Sequence, residues 1–338
     1  MTSTSTSTST STSTSRRATL ITALAALVTS LVSPLALAQS WPSKPLKLIV
    51  PFPPGGATDT VARLIAERLG PRLGQAVIIE NKPGAATVIG VDAVVKSIPD
   101  GHTLLVSGTS SFTVVPGLRS KLPFDVLKDL TPIALVVNAP LVLVTAPSKP
   151  YQRLSDVIAQ ARAKPKSLTY STYGPGTAPH LSAELLAHAA GVELEAVPYK
   201  GSAEALIGLM RGDIDVGVET LSAASAQIKA GKLRVLAVTS GKRTSFLPET
   251  PGMEELRLPQ ASFDGFYAVA APAGTPVAVV QRLTREISEI MAMPEVKEKC
   301  AQLSLEAVAL GPDALRAIMK TDIARFRELG ERIKISLD

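Results

Sequence analysis

The 338-residue chain carries 35 Lys and Arg against 29 Asp and Glu, a formal charge of +6, with 46% hydrophobic and 4% aromatic residues. So mild a charge, scattered along the chain with few aromatic residues between, gives nucleic-acid binding little support, because that function concentrates Lys and Arg on one face. A single cysteine excludes an internal disulfide, and three histidines with none paired at ligand spacing argue against a zinc site, so neither metal nor cofactor is expected.

The chain opens on an alternating Ser/Thr tract, then Arg16-Arg17, then an apolar run from Ala18 to Ala38 ending in "LALAQS". A positive start, an apolar middle and a small-residue end are the three parts of a secretory signal, with cleavage expected after Ala38. A membrane anchor is the rival reading, but Thr22, Thr29, Ser30, Ser33 and Pro34 dilute the run below what a span needs. "SRRATL" is a weak match to a twin-arginine signal, with Thr19 in place of the usual Phe, so the route is either Sec or twin-arginine. Removing 38 residues leaves 300 and a charge of +4, enough for one large domain or two ordinary ones.

From "LKLIV" onward, short β-rich runs alternate with amphipathic helical patterns: "AVIIE", "TLLVSG", "LVLVTA", "LTYST", "EAVPY", "IDVGVET" and "RVLAVTS". Such alternation predicts an α/β fold with mixed, largely parallel sheets covered on both faces. Val61, Leu64, Ile65 and Leu69 share one helix face, as do Leu154, Val157, Ile158 and Ala161. Ala203, Leu206, Ile207 and Met210 predict another buried face, with Ser202 as cap and Gly212 as stop. Helices led by Pro276 and Pro312 make the C-terminal third mainly helical, and Cys300, spaced with Val296 and Leu303, is read as core.

Two strand-like runs that end in proline, "NAPLVLVTAPSKP" and "FDGFYAVAAPAGTP", are the candidate crossings between lobes. They divide the chain into residues 41–141 plus 262–338 as one lobe and 142–261 as the other, after a signal peptide at 1–38.

Ligands in open α/β sheets sit at the carboxyl ends of strands, beside helix N-termini. Five such places share a bare-backbone character: "PFPPGGATD" after the first strand, "SGTSS" after "TLLV", "STYGPGTAPH" after "LT", "VPYKGS", and "VET" at Val218 to Thr220. A helix start with unpaired N–H groups binds an anion without a cationic side chain. Each hydrogen bond to a charged group contributes about 1.5 to 3 kcal/mol, so three or four, less ordering costs, reach the roughly 8 kcal/mol of a micromolar complex. The alternative for any one loop is a plain structural turn, since proline and glycine are common there. "GPGTAP" has Pro179 where the dinucleotide fingerprint needs glycine, and neither G-x-S-x-G nor a phosphate-loop lysine is present. His180, in the first turn of its helix, can meet a ligand or pack. His188 is read as packed or half exposed, and Asp213 and Asp215 as turn and surface residues.

"WPSKPLKLIVPFPPGGATDTVARLIAERLGPRLGQAVIIENKPGAATVIG", "SIPDGHTLL", "YGPGTAPHLSAELL", "VPYKGSAEAL", "QIKAGKLRVLAVTS" and "APAGTP" closely resemble the tripartite tricarboxylate transporter receptors, also called Bug receptors. The resemblance spans essentially all of residues 41–338. It implies a two-lobed periplasmic binding protein of type II (Venus flytrap) architecture that closes on a small carboxylated solute and serves membrane permease subunits. It is not an enzyme family, and a monomer is the default expectation.

By the same resemblance the ligand loops fall on Pro54, Gly55, Gly56, Ala57, Thr58 and Asp59; on Ser107, Thr109 and Ser110; on Tyr173, Gly176, Thr177, Ala178 and His180; on Tyr199, Lys200 and Gly201; and on Glu219. Family members hold the carboxylate largely through main-chain donors and water. One departure is Glu219-Thr220, where the family often has an acidic or amide pair such as Asp-Asn. An ionised Glu219 in the cleft disfavours a second carboxylate and favours an ammonium or hydroxyl group, whereas a Glu219 at the rim does neither. Two other readings of the bilobed scaffold stay open: a hydrolase using Ser107 or Ser110 with His180, and a sensor or effector-binding module.

Overall fold

The computed structural model describes residues 1–6 and 41–332. The chain divides into two units, Met1–Ser43 and Lys44–Asp338. The described residues of the first hold neither helix nor strand, and the expected signal peptide otherwise lies outside the described residues.

The second unit starts with the βα steps that the sequence pattern predicts: β1 (Leu46–Val50), α1 (Ala57–Leu73), β2 (Val77–Asn81), α2 (Val88–Val95) and β3 (Thr103–Gly108). A π-helical turn (Ser110–Val114) then leads into α3 (Val115–Leu118), α4 (Val126–Asp129) and β4 (Leu130–Ala139). Next come β5 (Leu141–Thr145), α5 (Leu154–Ala163), β6 (Thr169–Thr172), α6 (Ala178–Ala190), β7 (Glu195–Pro198), α7 (Ser202–Arg211), β8 (Val216–Thr220), α8 (Leu221–Lys229) and β9 (Arg234–Val238). The chain finishes with β10 (Gly265–Pro272), α9 (Val277–Ala292), α10 (Pro294–Gln302), β11 (Glu306–Leu310) and α11 (Pro312–Arg332).

These strands form two sheets, one ordered β11-β4-β10-β3-β1-β2 and the other β7-β6-β8-β5-β9. Each is mixed. Parallel pairing joins β1 with β2 and β3, and β6 with β7 and β8, whereas β4, β5, β9, β10 and β11 enter only antiparallel pairs. The sheets are thus less parallel than the alternation predicts. A strand arriving from the other sheet has no βα crossover to reverse its direction, so it enters antiparallel.

The second sheet is covered on both faces. Leu154, Val157, Leu181 and Leu185 pack in one apolar cluster, and Leu206, Leu209, Leu221 and Ala224 in another. In the first sheet's core, Val91 and Val94 of α2 meet Leu315, Met319 and Ile323 of α11. Further along α11, Phe326 and Leu329 belong to a cluster of the second sheet, and Phe326 stacks on Phe263 at 5.7 Å. The last helix therefore straps one sheet's core to the other's. Cys300 is fully buried, as its spacing predicts.

Pro140 alone separates β4 from β5, and residues 239–264 lead from β9 back to β10. Thr239 pins the two passages together. Its N–H donates to Leu141 O at 3.0 Å, its hydroxyl to Phe263 O at 2.8 Å, and its carbonyl accepts from Phe263 N at 2.9 Å.

Among the described residues no helix is long and apolar enough to cross a membrane, and no group of three or more His, Cys, Asp or Glu is placed to hold a metal ion.

Candidate functional site

A cavity of about 450 Å³ lies between the two sheets. Its walls come from the β1–α1 loop, the end of β3, the starts of α6 and α7, and the strands that pass between the sheets.

Two helix starts supply the donors. α1 begins at Ala57 behind Gly56, which is extended (φ −82, ψ 173), and no side chain caps it. The first chain bond inside the helix runs from Thr60 N to Gly56 O at 3.0 Å, and the amides of Ala57, Thr58 and Asp59 have no hydrogen-bond acceptor among the described residues. Ala57 and Thr58 line the cavity. Likewise α7 starts after Gly201, with its first bond from Ala205 N to Gly201 O at 3.1 Å, and the amides of Ser202 and Ala203 are unspent at the cavity wall. The loops that lead into the two starts come close: a Cβ on Gly201 would lie 3.4 Å from Pro53 Cδ. Unspent amides from two helix starts thus lie at the wall of one cavity, an arrangement suited to an anion.

The third expected donor loop is spent. Thr177 N donates to Gly174 O at 3.3 Å, Gly176 N to His180 Nδ1 at 3.3 Å and Ala178 N to Ser110 Oγ at 2.9 Å. His180 is therefore placed outside the cavity lining, with Nδ1 occupied as an acceptor, and burial holds its pKa below the ordinary value. Neither Ser107 nor Ser110 hydrogen-bonds it: Ser107 Oγ pairs with Ser111 Oγ at 2.6 Å, behind the wall. The serine–histidine contact that the hydrolase reading of Ser107 or Ser110 with His180 needs is therefore not made.

Asp59 is also withdrawn from the cavity. It is buried, and its carboxylate accepts from Gly55 N at 3.0 Å, Arg63 Nε at 2.8 Å and Asn81 Nδ2 at 3.1 Å. Burial alone would raise its pKa, but Arg63, the Gly55 amide and Asn81 outweigh that and hold it below the usual carboxylate range. Asp59 thus braces the loop, and Gly55, at φ +84, makes the turn that lets its amide reach back. Tyr199 lies against Gly208, where a Cβ would meet its hydroxyl at 2.4 Å, so it packs on α7 and leaves the lining to Lys200 and Gly201.

Glu219 is neither in the cavity nor at its rim. It is fully buried behind the wall, where it accepts from the hydroxyl of Ser202 at 2.7 Å and from that of Tyr173. Burial pushes its pKa up to about 7, against the lowering effect of those two hydrogen bonds. Its other oxygen, Oε1, has no partner among the described residues. The ring of Tyr173 lines the cavity while its hydroxyl turns away to Glu219, so the carboxyl supports the wall from behind.

Of the expected residues, Pro54, Gly56, Ala57, Thr58, Thr109, Ser110, Tyr173, Ala178, Lys200 and Gly201 line the cavity; Gly55, Asp59, Ser107, Gly176, Thr177, His180, Tyr199 and Glu219 do not. The sequence reading missed Phe52, Leu141, Ile207, Phe266 and Tyr267, all of which line it. Ser202 was expected as a cap, but its hydroxyl goes to Glu219. Ile207 was expected in the core, yet it is 46% exposed, because the buried face of α7 is Ala205, Leu206 and Leu209. Asp215, expected at the surface, ties Lys149 Nζ at 2.8 Å to the Thr169 amide at 2.9 Å.

Two mixed sheets, strand crossings between them and a ligand-sized cleft lined by helix starts define a two-lobed periplasmic solute-binding protein. Solved structures agree. The R. palustris protein Rpa4515, solved with adipate, is 31% identical with a TM-score of 0.84 and covers 88% of this chain and 99% of its own. MatC from Rhodopseudomonas palustris, solved with malate, is 28% identical with a TM-score of 0.82 and covers 86% of this chain and 99% of its own.

The family described as "Tripartite tricarboxylate transporter family receptor" matches residues 61–335, and the chain belongs to it. Protein BugT of Bordetella pertussis is 37% identical over 302 residues, covering 88% of this chain and 93% of BugT.

Proposed function

We propose that this receptor captures a small carboxylate in the cleft between its lobes and delivers it to the permease subunits of a tripartite tricarboxylate-type transporter. The observation that carries this reading is the convergence of unspent amides from α1 and α7, one helix from each sheet. The carboxylate is held by the amides of Ala57, Thr58, Ser202 and Ala203, with Thr109, Ser110 and Lys200 completing the wall. Adipate in Rpa4515 and malate in MatC support a carboxylate as the ligand class.

The lobes comprise residues 41–141 with 262–338, and 142–261, and they move about the Pro140 and Thr239 passages. The protein is exported to the periplasm after cleavage of residues 1–38 and works as a monomer that binds without turnover. The test is a thermal-shift screen of organic acids on protein stripped of ligand by unfolding and refolding. A ligand at 100 times its Kd adds about 2.7 kcal/mol of stability. A rise in melting temperature with one or more acids is expected; no rise with any organic or amino acid defeats the reading.

A further inference from the structure

We infer that the ligand is a monocarboxylate with an apolar body, the size of an aromatic ring or a short branched acyl chain, and not a di- or tricarboxylate. The inference rests on the carboxylate reading above and narrows its substrate class.

The donors share one cavity. The unspent amides of α1 and α7 lie at its wall, and the loops in front of them approach closely at Pro53 and Gly201, so together they suit one anionic group. A second carboxylate needs a second set of donors, and the start of α6 has spent the amides of Gly176, Thr177 and Ala178 on His180, Gly174 and Ser110.

Charge leads to the same conclusion. Among the described residues Lys200 is the one cation lining the cavity and Glu204 the one carboxylate, so their charges balance. A lone carboxylate is answered by the helix starts, whereas a second one would be desolvated with nothing to balance it.

Much of the rest of the lining is apolar, with Phe52, Leu141, Pro179, Ile207 and Phe266 beside the hydroxyl-bearing Thr58, Thr109, Ser110, Thr220 and Tyr267. Ile207 is the most informative of these, since it is left out of the buried face of its own helix and is 46% exposed. A large aliphatic side chain at that place is covered when an apolar ligand body fills the cavity. The volume of about 450 Å³ falls in the range that houses small organic ligands and exceeds what a bare acid of four carbons fills.

Calorimetry on ligand-stripped protein tests this with five acids: benzoate, cyclohexanecarboxylate, malate, adipate and citrate. The expected result is that benzoate or cyclohexanecarboxylate binds at least about tenfold more tightly than the other three, with a negative heat-capacity change from apolar burial. Ile207→Asn, on an exposed position, is expected to weaken the apolar acids at least about fivefold with the melting temperature of the free protein little changed. Tighter binding of malate, adipate or citrate than of both apolar acids overturns the inference and leaves the carboxylate reading standing. Unchanged benzoate and cyclohexanecarboxylate affinity in Ile207→Asn also overturns it, as does no binding by any of the five, while the carboxylate reading itself falls only if the wider thermal-shift screen finds no acid that binds.

Discussion

The Ala178 amide donates to the Ser110 hydroxyl at 2.9 Å, and this bond joins the first turn of α6, in the second sheet's half, to the π-helical turn that follows β3 in the first. Both residues are buried, so opening the cleft exposes the pair to water and closing it requires the bond to re-form. Ser110→Ala leaves the Ala178 amide without an acceptor in the closed form. A net hydrogen bond contributes about 0.5–1.5 kcal/mol, so affinity should fall roughly two- to tenfold. Calorimetry measures the affinity, and small-angle scattering of the unliganded variant should show a larger radius of gyration than the wild type.

Ala57→Pro removes a single donor from the anion site. Proline is tolerated at the first helical position, and Gly56 in front of it already has the extended backbone that a following proline requires. Losing one hydrogen bond to a charged group predicts an affinity loss of about 10- to 100-fold by calorimetry. Denaturant unfolding of the free protein should be little altered.

Glu219 makes stability depend on pH. Its folded pKa of about 7 lies above the ordinary carboxyl value of 4.5, so below about pH 4.5 the group is neutral in both states and costs nothing. As pH rises from there through 7, the unfolded chain ionises first and the native state loses stability, by up to about 3 kcal/mol. Glu219→Gln should abolish this part of the slope. Urea unfolding at pH 5 and pH 8 checks it: wild type is expected to lose stability relative to the variant between the two, and parallel behaviour contradicts the assignment.

Thr239 is the joint between the passages, and Thr239→Val keeps its shape while deleting the hydroxyl that reaches Phe263 O and Leu141 O. A loss of about 1 kcal/mol is expected from denaturant midpoints. The midpoint should fall with the slope m unchanged.

Much of this molecule is legible in its sequence where one residue's surroundings are set by its own helix or strand. Val61, Leu64, Ile65 and Leu69 are buried as their spacing predicts, and Gly212 ends α7 in the left-handed conformation (φ 79). The loops that carry the bare amides were equally readable, because proline and glycine mark them.

What escaped depends on contacts between distant segments. The "EAVAL" run joins the first sheet as edge strand β11 beside β4, a pairing that no local pattern in a helical stretch announces. Phe266 and Tyr267 looked like passage residues, yet both line the cavity, where the ladder with β4 shifts register between Tyr267 and Ala268. Glu219 ends a buried strand, and only the fold shows that Tyr173 and Ser202 close over it. The face of α7 is rotated from the expected one: Ala205, Leu206 and Leu209 are buried, while Ile207 lines the cavity.

The central claim is that one carboxylate sits between the starts of α1 and α7, held by main-chain amides. A crystal structure of the protein with a carboxylate that raises its melting temperature tests this most directly. The account predicts carboxylate oxygens within about 3.2 Å of amides from both Ala57–Thr58 and Ser202–Ala203. A carboxylate bound by Lys200 alone, or lying against the α6 start with those four amides facing water, would contradict it.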